Sequence, residues 1–158
     1  MIFQDSGAML NPIRTVGSQF REYIRAHSVL SRQEAAELSG QMLARMGLPN
    51  PESILASYPF QLSGGQRQRV GIAMAMTFQP RLLLADEPTT ALDVTIQTQI
   101  LELLKKLNRE HGMAILFISH NLHVVQKLCT RVAVMQGGHL VETGLVQDIF
   151  QNPRQEYT

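Results

Sequence analysis

The chain has a single cysteine and almost no charge imbalance, with 14 lysines and arginines against 13 aspartates and glutamates and a formal net charge of +1. One cysteine, Cys129, excludes an internal disulfide. Near-balanced charge removes any electrostatic reason to expect nucleic acid or an anionic membrane surface as a partner. Long apolar runs are missing too. The most apolar stretch, Met113–Ile118, falls far short of the about 20 residues that span a bilayer. The first residues do not show the basic-then-apolar pattern of a secretory leader. Together with the lone cysteine, this gives the expectation of a reducing cytosol. Any work at a membrane would then go through a membrane partner.

What is present is an ordinary globular composition. An apolar share of 44% over 158 residues is enough for one cored domain, or for one large piece of a bigger one. No sheet-forming run occurs between Pro12 and Pro80, so this half reads as helical. Val16, Phe20, Tyr23 and Ile24 recur at helical spacing within Thr15–His27. Ser31 with Glu34 three residues on forms a capping box before Arg32–Met46, which Gly47 closes. Asn50–Ser57, set off by prolines, reads as a short helix or turn. After Pro80 the pattern alternates: strand Arg81–Asp86, helix Val94–His111, strand Met113–Ser119 and helix Asn121–Leu128. The helix Val94–His111 puts Ile96, Ile100, Leu103, Leu104 and Leu107 on its inner side. A hairpin of Arg131–Gln136 and His139–Thr143 around Gly137-Gly138 follows, then a closing helix Leu145–Gln151. Strand–helix–strand–helix order implies an α/β fold with a parallel sheet.

Two stretches carry the chemistry. Leu62-Ser63-Gly64-Gly65-Gln66 opens the helical run Gln66–Thr77. Adjacent glycines let a phosphate approach the backbone, and the helix start would aim N–H groups and a positive dipole end at it. Leu82-Leu83-Leu84-Ala85-Asp86-Glu87 reads as a buried strand with two acids at its carboxyl end, where open α/β sheets hold ligands. Adjacent acids there are often plain solvated loop residues. The apolar approach and the Pro88-Thr89-Thr90 turn favour function instead, with Asp86 holding Mg²⁺ through water and Glu87 polarising an attacking water. The pairing points to nucleotide hydrolysis. Arg67 and Arg69, two apart on a helix, diverge, so solvated or interface roles are expected of them. His27, His111, His123 and His139 lack ligand spacing and read as surface.

At these residues the chain resembles the ATP-binding subunits of ABC transporters. Leu62–Gln66 is similar to the family's signature motif, Leu82–Asp86 to its Walker B strand, and Glu87 stands at the catalytic glutamate position. Ala91-Leu92-Asp93 resembles the D-loop, His120 the switch histidine and Gln4 the Q-loop glutamine. The wording Tyr58-Pro59-Phe60-Gln61 and Asp86–Val94 is most like the dipeptide, oligopeptide and nickel importer branch. The resemblance implies a partial P-loop NTPase core with a parallel sheet, plus an α-helical subdomain. It implies a partition into a Q-loop region at 1–12, a helical subdomain at 13–79 with the signature at 62–66, a RecA-like core at 80–144, and a closing helix and tail at 145–158. It assigns catalysis to Glu87 and His120, and ATP contacts to Gln4, Ser63, Gly64, Gly65, Gln66, Asp86 and Asp93. Mg²⁺ would rest on Gln4 and Asp86. His120 would reach the γ-phosphate as a neutral donor, although alone it also fits a packing residue at a helix start. Asp93 fits a helix N-cap as well as a D-loop role.

The chain departs from the family in one respect: it contains no Gly-x-x-x-x-Gly-Lys-Ser/Thr loop, the main cradle for the β- and γ-phosphates. The expectation is a carboxyl-side part of a nucleotide-binding domain, cut at both ends and unable to hydrolyse ATP alone. The resemblance implies a second ATP-binding subunit, identical or related, joined head to tail, and integral membrane permease subunits. It places the protein peripherally on the cytoplasmic face of the plasma membrane. A non-hydrolysing truncated module that docks to a membrane subunit remains the alternative. A soluble ABC ATPase is disfavoured, because the short Asp5–Gln61 segment has no sustained heptads.

Overall fold

A computed structural model describes residues 1–4, 9–90 and 92–158. The chain divides into two compact units, Met1–Leu116 and Phe117–Thr158.

The first unit contains the helices expected between Pro12 and Pro80. Helix α1, Val16–His27, starts where the Thr15 side chain accepts from Ser18 N, and it buries Val16, Phe20 and Ile24. Helix α2, Arg32–Arg45, carries the anticipated capping box, with Ser31 N donating to Glu34 Oε2 at 2.8 Å and Glu34 N to Ser31 Oγ at 3.3 Å. Gly47, at φ 70°, takes the left-handed position after its end. Helix α3, Pro51–Ala56, and a 3₁₀ turn, Pro59–Gln61, lead into helix α4, Gly64–Met76. The glycine at position 17 is required by packing: a Cβ there would lie 2.7 Å from the Leu55 carbonyl oxygen of α3.

Strand β1, Leu82–Asp86, buries Leu83 and Ala85 on one side. Ile2 pairs with it in parallel, its N–H donating to Leu84 O at 2.7 Å while Asp86 N donates to Ile2 O at 3.0 Å. Met1–Phe3 therefore runs beside β1 at Ile2. Helix α5, Val94–His111, buries Ile100, Leu101, Leu103, Leu104 and Leu107 and ends at Gly112, which is left-handed at φ 60°. Leu101 was missed on its inner side, and Ile96 is only half-buried. Strand β2, Ala114–Ile118, is the sheet neighbour of β1, with Ala114 N donating to Arg81 O.

In the second unit, helix α6, Leu122–Leu128, is capped by the Asn121 side chain, which accepts from His123 N and Val124 N. Strands β3, Arg131–Gln136, and β4, His139–Leu145, form an antiparallel hairpin. Gly137 and Gly138 both have positive φ, 56° and 82°, the geometry that a two-residue hairpin turn demands. β4 runs two residues beyond the expected Thr143 because Arg131 still pairs with Leu145. Helix α7, Val146–Gln151, closes the unit, and the Glu142 carboxylate accepts from the Arg154 and Gln155 N–H groups of the tail. Among the described residues no helix is long and apolar enough to cross a membrane.

Candidate nucleotide site

Two segments 83 residues apart meet at the carboxyl end of β1. Pairing of Ile2 with Ala85 sets the neighbouring chain in register, so that the following Gln4 arrives beside the acids. Gln4 Nε2 donates to Glu87 Oε2 at 3.0 Å. Thr90 Oγ1 donates to the same oxygen at 2.9 Å. The Glu87–Thr90 turn, with Pro88 in its second place, is closed by Thr90 N donating to Glu87 O. Glu87 itself stands at φ 43°, a left-handed backbone that non-glycine residues rarely adopt. The turn and the two side-chain donors hold it there. Strain of this kind, held by several contacts, is characteristic of sites where one carboxylate must point one way. Sequence reading missed Thr90. A hydroxyl three residues after an acid, across a proline turn, was the available signal.

Asp86 ends β1 half-buried, one residue before Glu87. Its carboxylate and the Gln4 amide oxygen are hard oxygen donors of the kind Mg²⁺ takes alongside its own waters. Among the described residues, no three of His, Cys, Asp and Glu gather in one place. The donor set fits Mg²⁺.

The glycine-rich start of α4 is built from its cap upward. Ser63 Oγ accepts from Gln66 N at 3.2 Å, and Gln66 Oε1 accepts from Ser63 N at 2.9 Å. This reciprocal box was not foreseen for Ser63 and Gln66, which were read as ligand contacts alone. Among the described residues no acceptor takes the Gly64 and Gly65 N–H groups, which are first-turn donors that a helix leaves unpaired. On their Cβ sides both glycines meet protein. A methyl on Gly64 would lie 3.2 Å from Leu92 Cδ2, and one on Gly65 only 2.6 Å from Ile96 Cγ2. Close packing of α4 on α5 is therefore a second reason for glycine here.

Arg67 and Arg69 are half-buried and each makes hydrogen bonds within the first unit. Arg67 Nη1 donates to Leu62 O at 2.6 Å, and Arg69 Nη1 donates to Met46 O at 2.6 Å with Nη2 on Gln99 Oε1. Both tie backbone carbonyls within the first unit: Arg67 braces the turn before Ser63, and Arg69 satisfies the exposed end of α2. A long side chain reaches such carbonyls more readily than sequence spacing suggests.

Asp93 caps α5, its Oδ1 accepting from Ile96 N at 2.9 Å. Of the D-loop stretch, Ala91 lies outside the described residues, as do residues 5–8 of the Q-loop region. His120 belongs to the second unit, exposed between β2 and the Asn121 cap. His27, His111, His123 and His139 are all exposed, as expected.

A strand ending in two acids, a glutamine from the adjoining strand bonded to the second of them, and a capped glycine helix start define the class: an α/β ATP-binding cassette. The chain belongs to the ABC transporter family, whose model matches residues 1–90. It is 51% identical over its full length to a putative peptide import ATP-binding protein of Brucella melitensis biotype 1, covering 47% of that protein. It is 52% identical over its full length to the glutathione import ATP-binding protein GsiA of Escherichia coli (strain K12), covering 25% of it. The chain thus spans about half the length, or less, of these curated relatives. The fold is also similar, at a TM-score of 0.76 and 30% identity, to a dimeric post-hydrolysis state of the ATP-binding cassette MJ0796 bound to ADP and Pi. That likeness covers 92% of this chain and 62% of the other.

Proposed function

We propose that the chain is part of the ATP-binding and ATP-hydrolysing subunit of an importer that energises uptake of peptides. Nickel is the alternative solute left open by the resemblance, and the names of the peptide and glutathione import relatives favour the peptide reading. The observation that carries the proposal is the Gln4–Glu87–Thr90 hydrogen-bond cluster at the end of β1.

In this reading the partition is 1–12, 13–79, 80–144 and 145–158, with the signature at 62–66. Glu87 accepts a proton from the attacking water, and the donors from Gln4 and Thr90 keep its carboxylate in one rotamer. Asp86 and Gln4 hold Mg²⁺, which supplies charge neutralisation on the phosphate oxygens. His120 donates a hydrogen bond to the γ-phosphate. Ser63, Gly64, Gly65 and Gln66 present their helix start to nucleotide bound on a second cassette, joined head to tail, and Asp93 lies at that junction. A dimeric cassette bound to ADP and Pi supports the pairing. Membrane permease subunits complete the importer, with the cassettes peripheral on the cytoplasmic face.

A cassette carrying this chain at the length of its relatives tests the reading. Steady-state ATP turnover is expected, and Glu87→Gln should remove it by about 10²-fold or more while nucleotide still binds. Turnover that survives Glu87→Gln would overturn the assignment of the base. No turnover with the parent cassette would favour the non-hydrolysing docking module instead.

A further inference from the structure

The strongest unassigned feature is an open cavity between α1 and the start of α2. It has a volume of about 550 Å³ and is lined by Arg14, Ser18, Arg21, Glu22, Arg25 and Arg32. From residue 18 onward the α1 positions recur at intervals of three and four, so they form one stripe. The opposite face of the helix holds Val16, Phe20 and Ile24 in the core.

Charge here is out of proportion to the rest of the chain. Four arginines against one glutamate give this cavity lining a formal charge of +3 (4 − 1), in a chain whose total is +1. The glutamate is already committed, since Glu22 Oε2 pairs with Arg14 Nη1 at 2.6 Å. Glu34, the next nearest acid in sequence, accepts from Ser31 N, and its hydrogen bonds with Ser31 lower its pKa. Ser18 spends its hydroxyl proton on Thr15 O. Among the described residues no ion pair or hydrogen bond is made by the guanidinium groups of Arg21, Arg25 and Arg32. Arg21 is also partly fixed, because its Nη1 lies along α1 over the bare Cα of Gly17, 3.0 Å from where a Cβ would stand.

We infer that this arginine-lined cavity binds a small soluble polyphosphate anion, of the size and charge of a di- or triphosphate. Guanidinium groups stay charged at every physiological pH and match phosphate oxygens two at a time. The volume suits a small ligand, within the roughly 300–1,000 Å³ of typical sites. A ligand bearing three or four negative charges matches +3, whereas a single carboxylate leaves most of it unanswered. The cavity is separate from Gln4, Asp86 and Glu87, and the inference does not depend on the nucleotide reading.

The test is titration of this chain with inorganic tripolyphosphate, without Mg²⁺, followed through the arginine side-chain Nε–Hε resonances and by calorimetry. Saturable binding is expected, with shifts at Arg21, Arg25 and Arg32. Arg25→Gln and Arg32→Gln, both exposed, should each weaken it at least about fivefold, and raised salt should weaken it further. Lys105→Gln and Lys106→Gln on α5 should leave it unchanged. No saturable binding to millimolar concentration overturns the inference, as does an equal loss in the lysine variants. Binding to anionic phospholipid vesicles without binding to tripolyphosphate also overturns it, and would make the face a membrane contact. Retained circular dichroism in the glutamine variants separates lost binding from lost folding.

Discussion

Replacing Gly65 by alanine separates the two reasons for a glycine at that position. If the residue serves only the approach of a phosphate, the empty chain should tolerate a methyl group and gain from alanine's better helix propensity, by up to about 1 kcal/mol. The packing predicts otherwise. The new Cβ would stand 2.6 Å from Ile96 Cγ2, with Ile96 Cδ1 and Cβ at 3.7 and 3.8 Å. Carbon atoms settle at about 3.5–4.0 Å, so roughly 1 Å must be found. Ile96 cannot swing aside easily, because a β-branched side chain is stiff at χ1 and its own N–H is held by the Asp93 cap. Helices α4 and α5 must therefore shift apart. Overpacking of this kind costs about 1–3 kcal/mol, and after the propensity gain a destabilisation of up to about 2 kcal/mol remains. For a chain of this length that lowers Tm by up to about 8 °C. Thermal unfolding followed by circular dichroism reads it directly. Ile96→Ala in the same background removes the obstructing carbon, so the double variant should be more stable than the sum of the two single losses by about 1 kcal/mol or more. A stabilising Gly65→Ala, or strictly additive losses in the cycle, would refute the packing argument.

Two further outcomes follow from hydrogen bonds. Ser63→Ala breaks the reciprocal cap with Gln66 and should cost about 1 kcal/mol in thermal unfolding, close to the loss from Ser31→Ala at the equivalent box on α2; a Ser63→Ala chain as stable as its parent would show that the cap contributes nothing. The Glu142 carboxylate accepts from the Arg154 N–H, which together with the Gln155 N–H holds its pKa below the ordinary 4.5. A carboxyl lowered on folding contributes stability that is fully present above 4.5 and is lost as the pH falls through the folded value, so the tail should detach on that acid side. The amide proton shifts of Arg154 and Gln155 should titrate together below 4.5 and stay flat in Glu142→Gln; a flat titration in the parent chain would remove the latch.

The sequence alone determined the elements, the fold class and the family. Capping residues, prolines and hydrophobic spacing are local, and the local rules held at Ser31 with Glu34, at Val94–His111 and at the Gly137-Gly138 turn. Asp86 and Glu87 were legible because an apolar run ends at them, and the motif order carried the family. Tertiary structure decided what touches what. Only the pairing of Ile2 with Ala85 brings Gln4 onto Glu87, and only the turn geometry brings in Thr90. Spacing could not show that Arg67 and Arg69 reach Leu62 O and Met46 O. Nor could it show that Ile96 fills the space beside Gly65. Helix and turn signals act across three or four residues, and one strand of sequence encodes them. A contact across tens of residues depends on how whole elements pack, and it becomes definite only when they have packed.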